Sequence, residues 1–305
     1  MEKTIPNCLG PRLIQSQPDW TLPKGAWDTH FHVLGPQTQF PYAQARKYTP
    51  PDAPLEACLE LHNALGIERG FVVHANTYGF DNSVDLDAVA RSGGRYLAVV
   101  RLDNSATSDG CRALHLAGAR GVRFAFNPKH GGTLDLAVFN HVLRCIDGLG
   151  WFVELHFDGA ALPELRPWIE SIPAPVVIDH FGRVDPARGL DQEPFRALAA
   201  LARRDNVWIK ISGADRLSPR GYPYHDVVPF ARELVHIAAD RLLWGSDWPH
   251  TGYFDPARVP DVSQLLNALV RFVPEQQLRD AILVDNPLRL IGHDINPATA
   301  THAQA

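Results

Sequence analysis

Residues 121–157, GVRFAFNPKHGGTLDLAVFNHVLRCIDGLGWFVELHF, decide how this chain folds. The apolar run Gly121–Phe126 has the length of a strand, and so does Trp151–Phe157. Between them Phe139, Val142, Leu143 and Ile146 recur at the three-and-four spacing of a helix that packs on one face. Strand, helix and strand of this size make a βαβ unit, with parallel strands and a right-handed crossover.

The same unit recurs outward in both directions. Upstream, Ala26–His32, Gly70–Ala75 and Tyr96–Arg101 read as strands, separated by helical patterns at Leu55, Leu59 and Leu65 and at Val84, Leu86 and Val89. Downstream, Val176–His180, Val207–Ser212 and Leu242–Asp247 bring the strands to eight, and Phe195, Leu198 and Leu201 mark another helix. Eight such units close into a (β/α)8 TIM barrel, a fold that runs to this length as one domain. An open doubly wound sheet is the competing architecture, but no GxGxxG follows the first strand. The expected organisation is an extended, Pro-rich arm over residues 1–24, a catalytic barrel over 25–292 and a polar tail over 293–305.

Composition narrows the function. The 305 residues carry a net charge of −5, which offers no field for nucleic acid or an acidic membrane. A small anion therefore has to be held by local arginines. Cys8, Cys58, Cys111 and Cys145 lie far apart without a CxxC spacing and read as reduced, packed thiols. No apolar run of signal-peptide or membrane-spanning length is found, so a cytoplasmic monomer or small homo-oligomer is the expectation.

In a barrel, chemistry sits where strands give way to loops at their C-terminal ends. The first strand ends in Asp28-Thr29-His30-Phe31-His32. Residues two apart share a face, so His30 and His32 point together, and two imidazoles so placed can reach one ion. The fifth strand ends in Glu154-Leu155-His156, the sixth in Ile178-Asp179-His180, and the eighth leads into Trp244-Gly245-Ser246-Asp247-Trp248-Pro249-His250. Any one of these also fits a capped strand or a hydrogen-bonded core residue. Histidines and an aspartate at the same ends of four strands point to one shared site. By contrast nothing in the sequence singles out Lys210, and His74 reads as a satisfied barrel histidine.

DTHFH at 28–32, VVIDHFGR at 176–183 and WGSDWPH at 244–250 resemble the lactonase branch of the amidohydrolase superfamily. That branch holds the 2-pyrone-4,6-dicarboxylate lactonases and the relatives that hydrolyse 4-sulfomuconolactone, and the similarity runs from Leu22 to Ile291. It implies that Asp247 is the general base that takes a proton from water. It also implies that His30, His32 and His180 line the same floor, polarising the carbonyl or holding an ion. The pyrone enzymes work without a metal and carry a tyrosine at the end of strand 5, where this chain has His156. That departure points to one Zn2+ held by His30, His32, His156 and Asp247, with His180 off the metal. The alternative is that His156 replaces the tyrosine as a donor to substrate.

Arg123, Arg183 and Arg216 match arginines of the family, and with Tyr48, Asn76, Lys129 and His250 they make up the expected pocket for a small anionic lactone. Asn127-Pro128-Lys129-His130 stands where the family has a second arginine, and Asn76 where it has a small hydroxyl residue. These changes favour a muconolactone bearing a sulfonate or carboxylate over the pyrone dicarboxylate. The activity implied is hydrolysis of a lactone ester in aromatic-compound degradation. A lactone isomerase or decarboxylase on the same barrel and a non-catalytic small-acid binder are the alternatives; a Ser-His-Asp hydrolase is disfavoured because no GxSxG occurs.

Overall fold

Eight parallel strands pair in sequence order: β1 (Trp27–Phe31), β2 (Arg69–Val73), β3 (Tyr96–Val100), β4 (Ala119–Ala125), β5 (Phe152–His156), β6 (Val176–Ile178), β7 (Val207–Lys210) and β8 (Leu242–Leu243). The computed structural model describes residues 5–12, 16–127 and 132–292, so Lys129 and the segment 293–305 lie outside the described residues. The ring closes through backbone bonds between β1 and the chain after β8. The Thr29 amide donates to the Trp244 carbonyl at 3.0 Å, Asp247 to His30 at 2.7 Å, and His32 to Trp248 at 2.8 Å. This is the TIM barrel that the strand and helix alternation implies.

Helices α1 (Leu55–Leu65), α2 (Ser83–Arg91), α3 (Ser108–Leu116), α4 (Leu136–Cys145), α5 (Leu162–Glu170) and α6 (Glu193–Ala202) each connect successive strands. The connection from β7 to β8 holds two, α7 (Ala214–Leu217) and α8 (Val228–Ala238). After β8 come α9 (Val262–Phe272), α10 (Gln276–Asp280) and α11 (Asn286–Leu290). Their apolar faces and the outward residues of the strands form the main core. None of the described helices is long and apolar enough to cross a membrane. The four cysteines are free and buried.

The barrel interior fills in layers, because every second strand residue points inward. Trp27, Phe71, Val99, Phe152, Val177 and Trp208 form an apolar plug, against which Leu290 of α11 packs. Two positions further along the strands the layer turns polar: His30, Arg123, Glu154, Asp179 and Lys210 are all buried. One irregularity makes this possible on β1. Its register shifts between Asp28 and Phe31, so Trp27 faces the plug while Phe31 joins the outer core. A bulge of this kind re-aims side chains, and here it turns His30 and His32 inward.

Every strand but β4 is shorter than the sequence implies, and at the last three the backbone shows why. The run Leu242–Asp247 is a ladder only at Leu242–Leu243, since Asp247 takes φ 58°, a left-handed conformation that no strand accommodates. β6 ends before His180 for the same reason, at φ 49°. β7 stops at Lys210, ahead of Gly213 at φ 69°. Upstream of β1, the Cys8 amide donates to the Thr49 carbonyl at 3.0 Å and Trp20 Nε1 to the Leu266 carbonyl at 3.1 Å, which lays these residues on the barrel.

Gly245 lies directly on β1: a Cβ there would stand 2.5 Å from His30 Cβ and 2.6 Å from its amide nitrogen. Gly245→Ala is expected to lower stability by about 1–3 kcal/mol, the usual cost of overpacking. Chemical denaturation checks this, and an unchanged midpoint would contradict closure by direct contact.

Candidate active site

At the C-terminal ends of the strands a cavity of about 250 Å³ opens, enough for a compact ring. One polar wall is built by the turns that follow β6, β7 and β8. After β6, His180, Phe181, Gly182 and Arg183 take φ 49°, 54°, 58° and 52° in succession. Left-handed backbone costs an L-residue roughly 1–2 kcal/mol, and such conformations gather at functional sites. Here the turn buries Phe181 and brings both His180 and Arg183 to the cavity. Gly213 leaves room for the imidazole, since a Cβ there would come within 2.9 Å of His180 Nδ1, and that nitrogen lies 2.9 Å from Ser212 Oγ.

Asp247 occupies the centre. Its Oδ1 lies 3.3 Å from His32 Nε2 and 3.6 Å from His30 Nε2, while Oδ2 accepts from Arg216 Nε–H. Arg216 is held in turn by the Thr251 carbonyl at 3.1 Å and by the Tyr253 ring. Burial alone would raise the Asp247 carboxyl, but above all the Arg216 guanidinium holds it well below the usual carboxylate range. It is therefore ionised at neutral pH. Burial lowers His180 to about 4 and holds His30 and His156 well below the ordinary imidazole value, so these rings are neutral bases.

The donor set fits a metal ion. Ligand atoms of His30, His180 and Asp247 lie within 4.8 Å of one another. His30 Nε2 is buried with no hydrogen-bond partner among the described residues. His32 Nδ1 lies 2.7 Å from the Val73 carbonyl, which can only accept, so Nδ1 carries the proton. With Nδ1 so engaged, Nε2 is the atom that His32 turns toward the Asp247 oxygen and toward any ion bound beside it. A carbonyl on the remote nitrogen is also how metal-bound histidines are oriented. The sequence reading placed His156 among the ligands and His180 outside them; the structure brings His180 into the group. His156 lines the cavity, its ring centroid 6.0 Å from that of His180.

Beneath this floor lies a cluster that the sequence reading missed. Lys210 Nζ bonds Glu154 and stands 2.9 Å from His30 Nδ1 and 3.4 Å from Asp179 Oδ1. Arg123 joins from the other side, 2.9 Å from Asp179 Oδ2 and 3.2 Å from Glu154 Oε1. Burial, then the charge of Asp179, pushes Glu154 up to about 7. Burial would also raise Asp179, but His30, Lys210 and Arg123 keep it well below its ordinary value. The available signal was register: on neighbouring strands Arg123, Glu154, Asp179 and Lys210 all stand one inward step above an apolar residue or a glycine.

Of the remaining expected residues, all but His250 that are described line this cavity. Arg123 reaches the cavity, although its guanidinium is already shared between two carboxylates. Tyr48, whose hydroxyl lies 2.7 Å from Thr251 Oγ1, and Asn76 line the cavity. His250 is buried outside the described cavity lining. Arg46, Lys47 and Arg101, not singled out in the sequence, line it too, and Asp247 is the one carboxylate among its described lining residues. His74 is satisfied by Asp85 at 2.7 Å and the Gly79 carbonyl at 3.0 Å.

Residues 27–292 match the sequence family described as Amidohydrolase. A 4-sulfomuconolactone hydrolase from Rhizobium radiobacter is 54% identical over 94% of this chain and 97% of its own length. A 2-pyrone-4,6-dicarboxylate hydrolase from Comamonas testosteroni is 39% identical over 90% of this chain and 92% of its own. A ligand-free crystal structure from Agrobacterium tumefaciens superposes with a TM-score of 0.80 at 30% identity, covering 90% of this chain and 98% of that one.

Removing the Lys210 ammonium leaves Arg123, among the described residues, as the one guanidinium or ammonium beside these two buried carboxyl groups. Lys210→Met is expected to cost about 3–5 kcal/mol, as breaking a buried ion pair does. Thermal or chemical unfolding measures it; a loss under 1 kcal/mol would mean that water already compensates the cluster.

Proposed function

The chain belongs to the amidohydrolase family, and on that premise we propose that it hydrolyses the ring ester of a small anionic lactone, with Asp247 as the base that activates water. One observation carries the reading: a single carboxylate, surrounded by neutral imidazoles, lies in a cavity otherwise rimmed by arginine and lysine. The cations suit an anionic substrate, and the carboxylate suits proton removal from water. The relatives named for sulfomuconolactone and pyrone-dicarboxylate hydrolysis support the same substrate class. Because similarity is greater to the former, a muconolactone type bearing sulfonate or carboxylate, from the degradation of aromatic compounds, is the preferred substrate.

Asp247 Oδ1 accepts a proton as the water oxygen attacks the lactone carbonyl carbon. The ring C–O bond then breaks, and the departing oxygen takes up the proton held at the site. With its pKa depressed, Asp247 is a weak base, so the carbonyl has to be polarised at the same moment. His180, set by Ser212 and Gly213, has one free ring nitrogen, Nε2, which hydrogen-bonds the carbonyl or the water when no ion is bound and ligates the ion when one is. Arg183 and Arg216 bind and orient the substrate anion. One Zn2+ fits the group His30, His32, His180 and Asp247, and when bound it supplies positive charge against the developing oxyanion. His156 faces the substrate from the wall.

Asp247→Asn is expected to lower kcat by about 10²–10⁴-fold on anionic lactones, as loss of a general base does. Proton release reads hydrolysis and separates it from isomerisation, which releases none. A variant with wild-type kcat would remove Asp247 from this role. Purified protein is expected to hold about one zinc per chain and to lose activity with a chelator; full activity in metal-free protein, measured by elemental analysis on the same sample, would overturn the zinc assignment.

A further inference from the structure

Arg101 follows β3 at the next inward position after Leu97 and Val99, which pack in the barrel plug. Its backbone is fixed in both directions by Asn82: the Arg101 amide donates to Asn82 Oδ1 at 2.8 Å, and Asn82 Nδ2 donates to the Arg101 carbonyl at 2.9 Å. The guanidinium lies over the Phe80 ring, 4.6 Å from its centroid, and borders the cavity. Its contacts are poor. Nη1 reaches the Gly79 carbonyl at 3.4 Å and Asn76 Oδ1 at 3.5 Å, both at the outer limit for a hydrogen bond.

No carboxylate pairs with it among the described residues, whereas Arg123 and Arg216 are each compensated by one or two. Burial, and then the nearby Arg123, lower its pKa from the ordinary arginine value, the mark of a cation held without a counterion. Five fixed donors and no negative partner make a seat for an anion.

Position says which anion. In an eight-stranded ring β3 lies four strands from β7, on the opposite wall. Arg216 follows β7 and Arg183 follows β6, so the cations stand across the cavity from Arg101, with Asp247 and His180 on its floor. We propose that Arg101 seats the second anionic group of the lactone, across the cavity from the group bound by Arg183, and thereby sets the preference for doubly over singly charged substrates. The inference rests on the lactone hydrolysis proposed above.

The test compares kcat/KM for a lactone bearing two carboxylates with that for analogues lacking either one, in wild type, Arg101→Gln and Arg101→Lys. In Arg101→Gln the preference for the doubly charged lactone is expected to fall by about 10- to 100-fold, mainly through KM, as loss of a charged hydrogen bond does. Arg101→Lys, which keeps the charge, is expected to retain more of it. A merely structural role would lower all substrates together and leave the ratio unchanged, and that result overturns the proposal. Calorimetric binding of a cyclic dicarboxylate and its monocarboxylate counterpart reads the same ratio without turnover. A wild type that binds both but opens no lactone would therefore defeat the hydrolase reading and leave Arg101 still decided by the binding ratio.

Discussion

The Asp28 carboxylate ties the two ends of the barrel together, and the site depends on that tie. Its Oδ1 accepts from the amides of His30, at 3.0 Å, and Ser246, at 2.9 Å, and its Oδ2 accepts from the Ser246 hydroxyl. The Ser246 hydroxyl oxygen accepts in turn from the Trp248 amide at 3.0 Å. One buried side chain thus fixes the residue before Asp247, the residue after it, and the histidine opposite. Behind it, His62 Nε2 lies 3.4 Å from Asp28 and His62 Nδ1 lies 2.7 Å from the Tyr96 hydroxyl, so the clamp is itself supported from α1 and β3. Charge-assisted bonds to backbone amides in a dry interior are strong and directional. They hold the carboxylate and the imidazoles in contact without a substrate to organise them.

Charge is stratified above that clamp. In the lower layer Lys210 and Arg123 stand against the carboxyl groups of Glu154 and Asp179, so the charges there are largely compensated. Buried charges persist when they are compensated in this way. The upper layer is different: its cations outnumber Asp247, and their excess is what an anionic ligand would neutralise. A global charge of −5 hides this local reversal, which arises because inward positions at the strand ends carry arginine while the acidic residues are mostly elsewhere.

The floor geometry rests on backbone that would be unfavourable in isolation. The left-handed run at 180–183 and the single left-handed residue at Asp247 each interrupt a strand at the level of the cavity. Burial of Phe181, His180 and Trp248 offsets the conformational cost. A strand continued through either point would aim the next side chain by simple alternation. The turn instead lets His180 and Arg183 reach the same cavity.

The period of the apolar residues was enough to determine the eight-stranded barrel from sequence, because strand and helix repeats are local properties of adjacent residues. So was the placing of His30, His32, His180 and Asp247 at strand ends, and the DTHFH and WGSDWPH segments carried the family resemblance. The pairing of those residues was not legible. Whether His156 or His180 comes within reach of His30 and Asp247 depends on backbone dihedrals that neither residue's neighbours announce. Whether Arg123 is free or already ion-paired depends on Glu154 and Asp179, 31 and 56 positions away in the chain. Lys210 and Arg101 looked like ordinary strand residues until the register aligned them with the layers inside the barrel. Sequence encodes local periodicity and residue type, whereas desolvation and charge compensation are set by distances across the ring, and those exist only once it has closed.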